Sequence, residues 1–166
     1  PKNTIYLGSF LKILVPALRV GYIMTSSSIM QKINISKQYK DLHTNMFSQY
    51  VLYEYLISFD IFKHIKQLNK SYGKNCDIFY NTMKKELSDI FEISKPKGGM
   101  FLWARLKDGS DSELLLKKAV KKKVLFVPGS MFVEDKSKNS YIRFNFTNSN
   151  KKEIIEGISR LKGLFK

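Results

Sequence analysis

Between residues 61 and 87 apolar side chains return at steps of three and four: Ile61, Ile65, Leu68, Tyr72, Cys76, Phe79, Met83 and Leu87. This spacing draws one apolar stripe along a single long helix, weakened only at Gly73. Before it, Ile5 to Leu7 is a short apolar run ending at Gly8, and Val20 to Met24 is a second one beyond the turn marker Pro16. Ser26 to Ser28 supply hydroxyls that start a helix reaching about Tyr39. After it the elements shorten. Ile90 to Ile93, Met100 to Leu106, Val124 to Val127 and Tyr141 to Phe146 read as strands, with turns at Pro96, Gly98-Gly99 and Pro128-Gly129. Ser110-x-x-Glu113 and Asn150-x-x-Glu153 have the form of capping boxes. The first opens a helix to about Lys122. The second opens a last helix with Ile154, Ile155, Ile158, Leu161 and Phe165 on its buried side. The expected order is the tail of an α/β unit over residues 1–42, connecting helices over 43–87, and a small α+β domain over 88–166.

Composition narrows the class. Apolar residues make up 43% of the 166, enough for a packed core and too many for a disordered chain. No apolar run approaches the roughly 20 residues of a membrane helix, and the first residues lack the order of a signal peptide. The single Cys76 excludes an internal disulfide, fits a reducing cytoplasm, and falls on the apolar stripe as core filler. Twenty-nine Lys and Arg against fourteen Asp and Glu leave a net charge of +15. The one dense basic cluster, Lys117, Lys118, Lys121, Lys122 and Lys123, falls on the solvent side of one helix, so a solvated face is expected there in preference to a nucleic-acid surface. Pro1-Lys2-Asn3 runs straight into the first strand without a lead-in, which reads as a fragment of a longer protein.

The segment richest in chemistry is Gly8-Ser9-Phe10-Leu11-Lys12 followed by Pro16-Ala17-Leu18-Arg19-Val20-Gly21-Tyr22. A strand ends in Gly and Ser, a Lys follows at once, and an Arg stands at the mouth of the next strand. Ligands of open α/β sheets bind at strand ends. A Ser hydroxyl and an Arg guanidinium together suit a phosphate, and a Lys between them is placed to attack an aldehyde. Taken alone, Ser-x-x-Lys with an Arg is a weak signal that surface residues also produce.

The same segment resembles the cofactor-lysine region of fold-type I pyridoxal-phosphate enzymes, in the group that contains 2-aminoadipate and kynurenine aminotransferases. Further motifs follow in the family's order: Asp41-Leu42-His43-Thr44-Asn45, Pro96-x-Gly98-Gly99-Met100-Phe101-Leu102-Trp103, Phe126-Val127-Pro128-Gly129-Ser130 and Ile142-Arg143-Phe144. The resemblance covers nearly the whole chain. It implies an α/β fold comprising the end of the large-domain sheet, the long connecting helix and the small α+β domain of a C-terminal portion. It implies pyridoxal 5'-phosphate as cofactor, with Lys12 as the Schiff-base lysine and Ser9 and Arg19 as phosphate ligands. Arg143 is implied as the residue that pairs with the substrate carboxylate. Amino acids and 2-oxo acids are the implied substrates, a homodimer the implied parent, and no metal or membrane is expected.

The remaining motif residues carry plainer expectations. Gly98-Gly99 and Pro128-Gly129-Ser130 shape an opening, His43 is a polar residue at a helix junction, and Trp103 belongs to the core. Two departures from the family matter. Leu11 stands where a second Ser usually precedes the lysine, a loss of roughly 1.5–3 kcal/mol of hydrogen bonding to a charged group. The family's acidic partner for the pyridine nitrogen, its ring-stacking aromatic and its glycine-rich phosphate loop all precede the lysine strand, so this stretch on its own is expected to be inactive. A second reading remains open. Winged-helix transcription regulators of the GntR/MocR type carry the same domain as an effector module.

Overall fold

The computed structural model describes residues 3–134 and 139–165. Two compact units divide the chain, Pro1–Leu68 and Asn69–Lys166. The division falls inside the long helix, not at either of its ends.

In the first unit, β1 (Tyr6–Ser9) and β2 (Gly21–Met24) form an antiparallel ribbon with Tyr6 opposite Met24 and Ser9 opposite Gly21. Gly8 lets the Tyr22 ring lie over the ribbon, since a Cβ there would sit 2.1 Å from that ring and push it aside. Helix α1 (Ser27–Lys40) starts after Ser26, and α2 (Met46–Ser58) is capped by Asn45, whose Oδ1 accepts the Ser48 N–H at 3.0 Å. Helix α3 (Ile61–Leu87) follows at once. Asp60 closes its N-terminus by accepting the N–H groups of Phe62 and Lys63 at 2.9 and 3.0 Å. Val20 and Leu52 are the only fully buried apolar side chains among the described residues of this unit. Around them β1, β2 and α2 present apolar residues outward, such as Leu7, Met24, Phe47 and Tyr50.

The second unit holds the core. Its sheet has the order β3-β4-β6-β5 with every neighbour antiparallel: β3 (Phe91–Ile93), β4 (Phe101–Leu106), β5 (Val127–Pro128) and β6 (Tyr141–Asn145). Strand alternation sends Leu102, Ala104 and Leu106 of β4 and Ile142, Phe144 and Phe146 of the β6 segment to one face. There they meet Phe79, Met83 and Leu87 of α3, Leu115 and Ala119 of α4 (Ser112–Lys121), and Ile154, Ile158 and Leu161 of α5 (Lys151–Lys162). Cys76 lies buried in the same cluster as expected, and desolvation pushes its thiol pKa up. The opposite face carries Phe101, Trp103 and Arg105 on β4 and Tyr141, Arg143 and Asn145 on β6.

Four expectations change. The cap of α4 is Asp111, not Ser110: its carboxylate accepts the Glu113 and Leu114 N–H groups at 2.7 and 3.4 Å, while the Ser110 N–H turns back to Asp108 Oδ1. The Val124 run forms a ladder only at Val127–Pro128, because Val124 is occupied in closing α4 through its N–H to the Ala119 carbonyl. Ile155 points outward at 44% exposure, one position past the stripe that Ile154 and Ile158 bury. Trp103 is not core; it stands on the open face of β4 at 38% exposure. The Asn150–Glu153 capping box is present with both hydrogen bonds, and Lys117, Lys118 and Lys121–Lys123 are all exposed. Among the described residues, no helix is long and apolar enough to cross a membrane.

Candidate functional site

The ladder between β1 and β2 closes at Ser9 and Gly21, and the Phe10 N–H reaches the Val20 carbonyl at 3.1 Å just beyond it. The intervening residues therefore form one loop at the end of the ribbon. Ser9 is the last residue of β1, Lys12 lies three residues further on, and Arg19 stands two residues before β2. Inside the loop the Leu14 N–H bonds the Phe10 carbonyl at 2.9 Å, and Pro16–Leu18 make a single 3-10 turn. Arg19 ends that turn in the left-handed conformation, φ 54°. A non-glycine residue there is held by its surroundings at a cost of order 1–3 kcal/mol.

The side chains of Ser9, Lys12 and Arg19 are all exposed. The Ser9 hydroxyl accepts the Leu11 N–H at 3.2 Å, which leaves its own proton free to donate. No carboxylate pairs with Lys12 or Arg19 among the described residues. One loop thus offers a hydroxyl donor, a primary amine and a planar guanidinium. That donor set suits a ligand bearing both a phosphate and a carbonyl carbon. Leu11 is half-buried and contributes only its N–H to this loop.

Arg143 belongs to the second unit. On β6 it faces Trp103 of β4 on one side and Val127 of β5 on the other. Its guanidinium carbon lies 4.1 Å from the Phe101 ring centroid and 4.2 Å from that of Phe132, within cation–π range of both. Tyr141 stacks on Trp103 at 5.8 Å, and Phe132 meets Trp103 edge-on at 5.7 Å, which extends the aromatic surface. The Arg143 Nε is buried without a hydrogen-bond partner, and no described carboxylate forms an ion pair with the group. A guanidinium with two aromatic rings close by and no described carboxylate paired to it keeps its N–H fork available for a carboxylate.

Of the two turns expected to shape an opening, Pro128-Gly129 is fixed by packing. A Cβ on Gly129 would sit 2.4 Å from the Tyr141 Cβ, so only glycine lets this turn lie against β6. Gly99 has φ 81° and open space around it. His43 lies exposed between α1 and α2 with Nδ1 3.0 Å from the Thr44 carbonyl oxygen. Reasoning from the sequence missed Phe101 and Phe132 as neighbours of Arg143. The outward phase of Phe101 on β4 was available as a signal, whereas Phe132 lies on a turn and follows no periodicity. It also missed His64, whose Nε2 reaches the Ile13 carbonyl across 51 residues.

The class I and II aminotransferase family model matches residues 2–161. Aromatic-amino-acid aminotransferase 1 of Thermococcus litoralis is 39% identical over 159 residues, covering 96% of this chain and 38% of its own length. A crystal structure of the Pyrococcus horikoshii kynurenine aminotransferase, in complex with PMP, superposes with a TM-score of 0.91 at 37% identity, covering 99% of this chain and 42% of that one. The HTH-type transcriptional regulator NorG of Staphylococcus aureus is 28% identical over 160 residues, 96% of this chain and 36% of its own length. The chain thus spans about two fifths of the length of the proteins it matches.

Proposed function

The chain belongs to the class I and II aminotransferase family and has the fold of the fold-type I enzymes, and from that premise we propose that it is part of a pyridoxal-phosphate-dependent aminotransferase in which Lys12 carries the cofactor. The observation that carries this reading is the β1–β2 loop, where a hydroxyl, an amine and a guanidinium occupy one short connection. Bound there, pyridoxal phosphate supplies the electron sink that makes the Cα–H bond of an amino acid labile. The chain's own residues do the rest. Ser9 donates its hydroxyl proton to the phosphate, and Arg19 clamps it with two N–H donors. The Lys12 amine would hold the cofactor at its aldehyde carbon and, when free, would serve as the base that moves the substrate's Cα proton. Arg143, with Phe101 and Phe132 beside its guanidinium, would receive the substrate carboxylate.

The same proposal covers the wider setting. The protein transfers amino groups between amino acids and 2-oxo acids, works as a homodimer and resides in the cytoplasm, where the buried free thiol of Cys76 is stable. The boundaries drawn at residues 42 and 87 belong to it too, with residues 1–42 ending the cofactor-binding large domain. Family likeness and the loop's donor set support these points. The test is chemical. Borohydride treatment of the full-length protein loaded with pyridoxal phosphate should abolish its visible band and fix the label on the peptide containing Lys12. Label on another lysine overturns the assignment.

A second reading is favoured by the likeness to the NorG regulator, which covers the same span. In that case the domain senses an amino acid or the cofactor and need not turn over. Sequence preceding this chain in the full-length protein distinguishes the two, since a basic helix-turn-helix module there means a regulator.

A further inference from the structure

The loop that presents Lys12 has little structure of its own. Beyond the Phe10 N–H to Val20 O bond at its neck, its internal ties are two backbone hydrogen bonds, Leu14 N–H to Phe10 O and Leu18 N–H to Val15 O, and the Ser9 hydroxyl against the Leu11 N–H. Among the described residues, one side-chain hydrogen bond from a distant element reaches it. Nε2 of His64 lies 2.9 Å from the carbonyl oxygen of Ile13, the residue that follows Lys12. A carbonyl only accepts, so Nε2 carries the proton and donates. His64 is itself well held. It sits in the first turn of α3, its N–H bonds the Asp60 carbonyl at 3.2 Å, and Asp60 caps that turn with its side chain. The imidazole also meets Tyr55 of α2 edge-on at 6.3 Å, and Tyr55 stacks on Phe59 at 5.2 Å.

We propose that His64 is a positioning residue: by anchoring the Ile13 carbonyl it fixes the backbone beside Lys12 and so sets the direction in which the Lys12 amine projects. The inference rests on the assignment of Lys12 to the cofactor but concerns a different residue on a different element. An amine on a four-carbon stem can take many directions, and only its backbone origin can be held by the fold. A hydrogen bond from the start of a 27-residue helix supplies that origin.

The experiment uses the full-length protein and two matched variants. His64→Gln keeps an N–H donor at the reach of Nε2, whereas His64→Asn places its donor near the Nδ1 position and cannot span to Ile13. Three readouts are followed: the pH midpoint of the lysine–cofactor absorbance band, the rate of cofactor release on dilution, and tryptic cleavage after Lys12 and Arg19 in the cofactor-free protein. For His64→Asn the expectation is a midpoint moved by about half a pH unit and release about three- to tenfold faster, the range of a single lost hydrogen bond. Cleavage in the loop should accelerate to a similar degree, while His64→Gln stays near the wild-type protein in all three. Equal behaviour of the two variants, whether both like wild type or both impaired, overturns the proposal, because ring packing alone would not separate them. Absence of the band at Lys12 in the wild-type protein instead defeats the cofactor assignment, and the cleavage rates still judge His64 independently.

Discussion

Arg143 shows how much a single residue's surroundings decide. Its strand puts it on the open face, with two aromatic rings close by and its N–H fork available to a ligand. Lysine would keep the charge and lose the fork, so Arg143→Lys is not conservative at such a place. Truncating one partner of a desolvated charge pair costs roughly 2–5 kcal/mol, and a variant that keeps the charge should lie near the low end. In the full-length protein, amino-acid affinity should fall about tenfold in Arg143→Lys, with the cofactor band unchanged in a spectral titration. Arg19→Ala should do the reverse and weaken cofactor retention first. Loss of cofactor from Arg143→Lys with amino-acid affinity intact would mean that the two arginines have been given each other's roles. Leu11 makes a second prediction at this scale. A hydroxyl restored by Leu11→Ser should tighten cofactor binding about tenfold, the effect of one hydrogen bond to a charged group, measured by equilibrium titration.

Among the elements, α4 tests how a helix start is chosen. Ser110 and Asp111 both have capping side chains, and spacing to Glu113 favoured Ser110. The carboxylate is the stronger acceptor, and Asn139 holds it in place through a 3.1 Å bond to Oδ2. Asp111→Ala should therefore cost about 1 kcal/mol in chemical denaturation, while Ser110→Ala should leave the midpoint unmoved; the opposite pattern restores the capping box. The comparison also shows what a sequence can disclose. The α3 stripe, the β6 alternation and the Asn150–Glu153 cap are local patterns, and they were legible because a period of 3.6 or 2 is written into consecutive residues. Trp103 was misplaced because hydrophobic size suggests burial, although its phase on β4, opposite to Leu102 and Ala104, already pointed outward. The Phe101–Arg143–Phe132 arrangement and the His64–Ile13 bond were beyond reach, since they join segments through space without a periodic trace.

At the level of the whole chain the two units differ in self-sufficiency. The second encloses a continuous core from Cys76 to Leu161. The first leaves Leu7 at 70% and Phe47 at 77% exposure and fully buries little beyond Val20 and Leu52. A chain of this length, about two fifths of its relatives, should then hold its slowest-exchanging amides in β4, β6 and α5 and its fastest in β1 and β2, as hydrogen exchange by mass spectrometry would report. The purified stretch should also show no transamination above a Lys12→Ala control, because it spans only about two fifths of the length of the aminotransferases it matches. Turnover above that control refutes this.

The two faces of β6 have a consequence for how such a protein can diverge. Ile142 and Phe144 are committed to the interior, while Tyr141, Arg143 and Asn145 are not. Substitutions at Arg143 can therefore change what the open face meets without disturbing the interior, and those at the even-numbered positions can repack the interior without touching that face. Insertion or deletion of a single residue in this strand has no such freedom. It would carry the guanidinium into the hydrocarbon interior and expel Phe144, so lineages that change what they bind are confined to point replacement here, with strand length held constant.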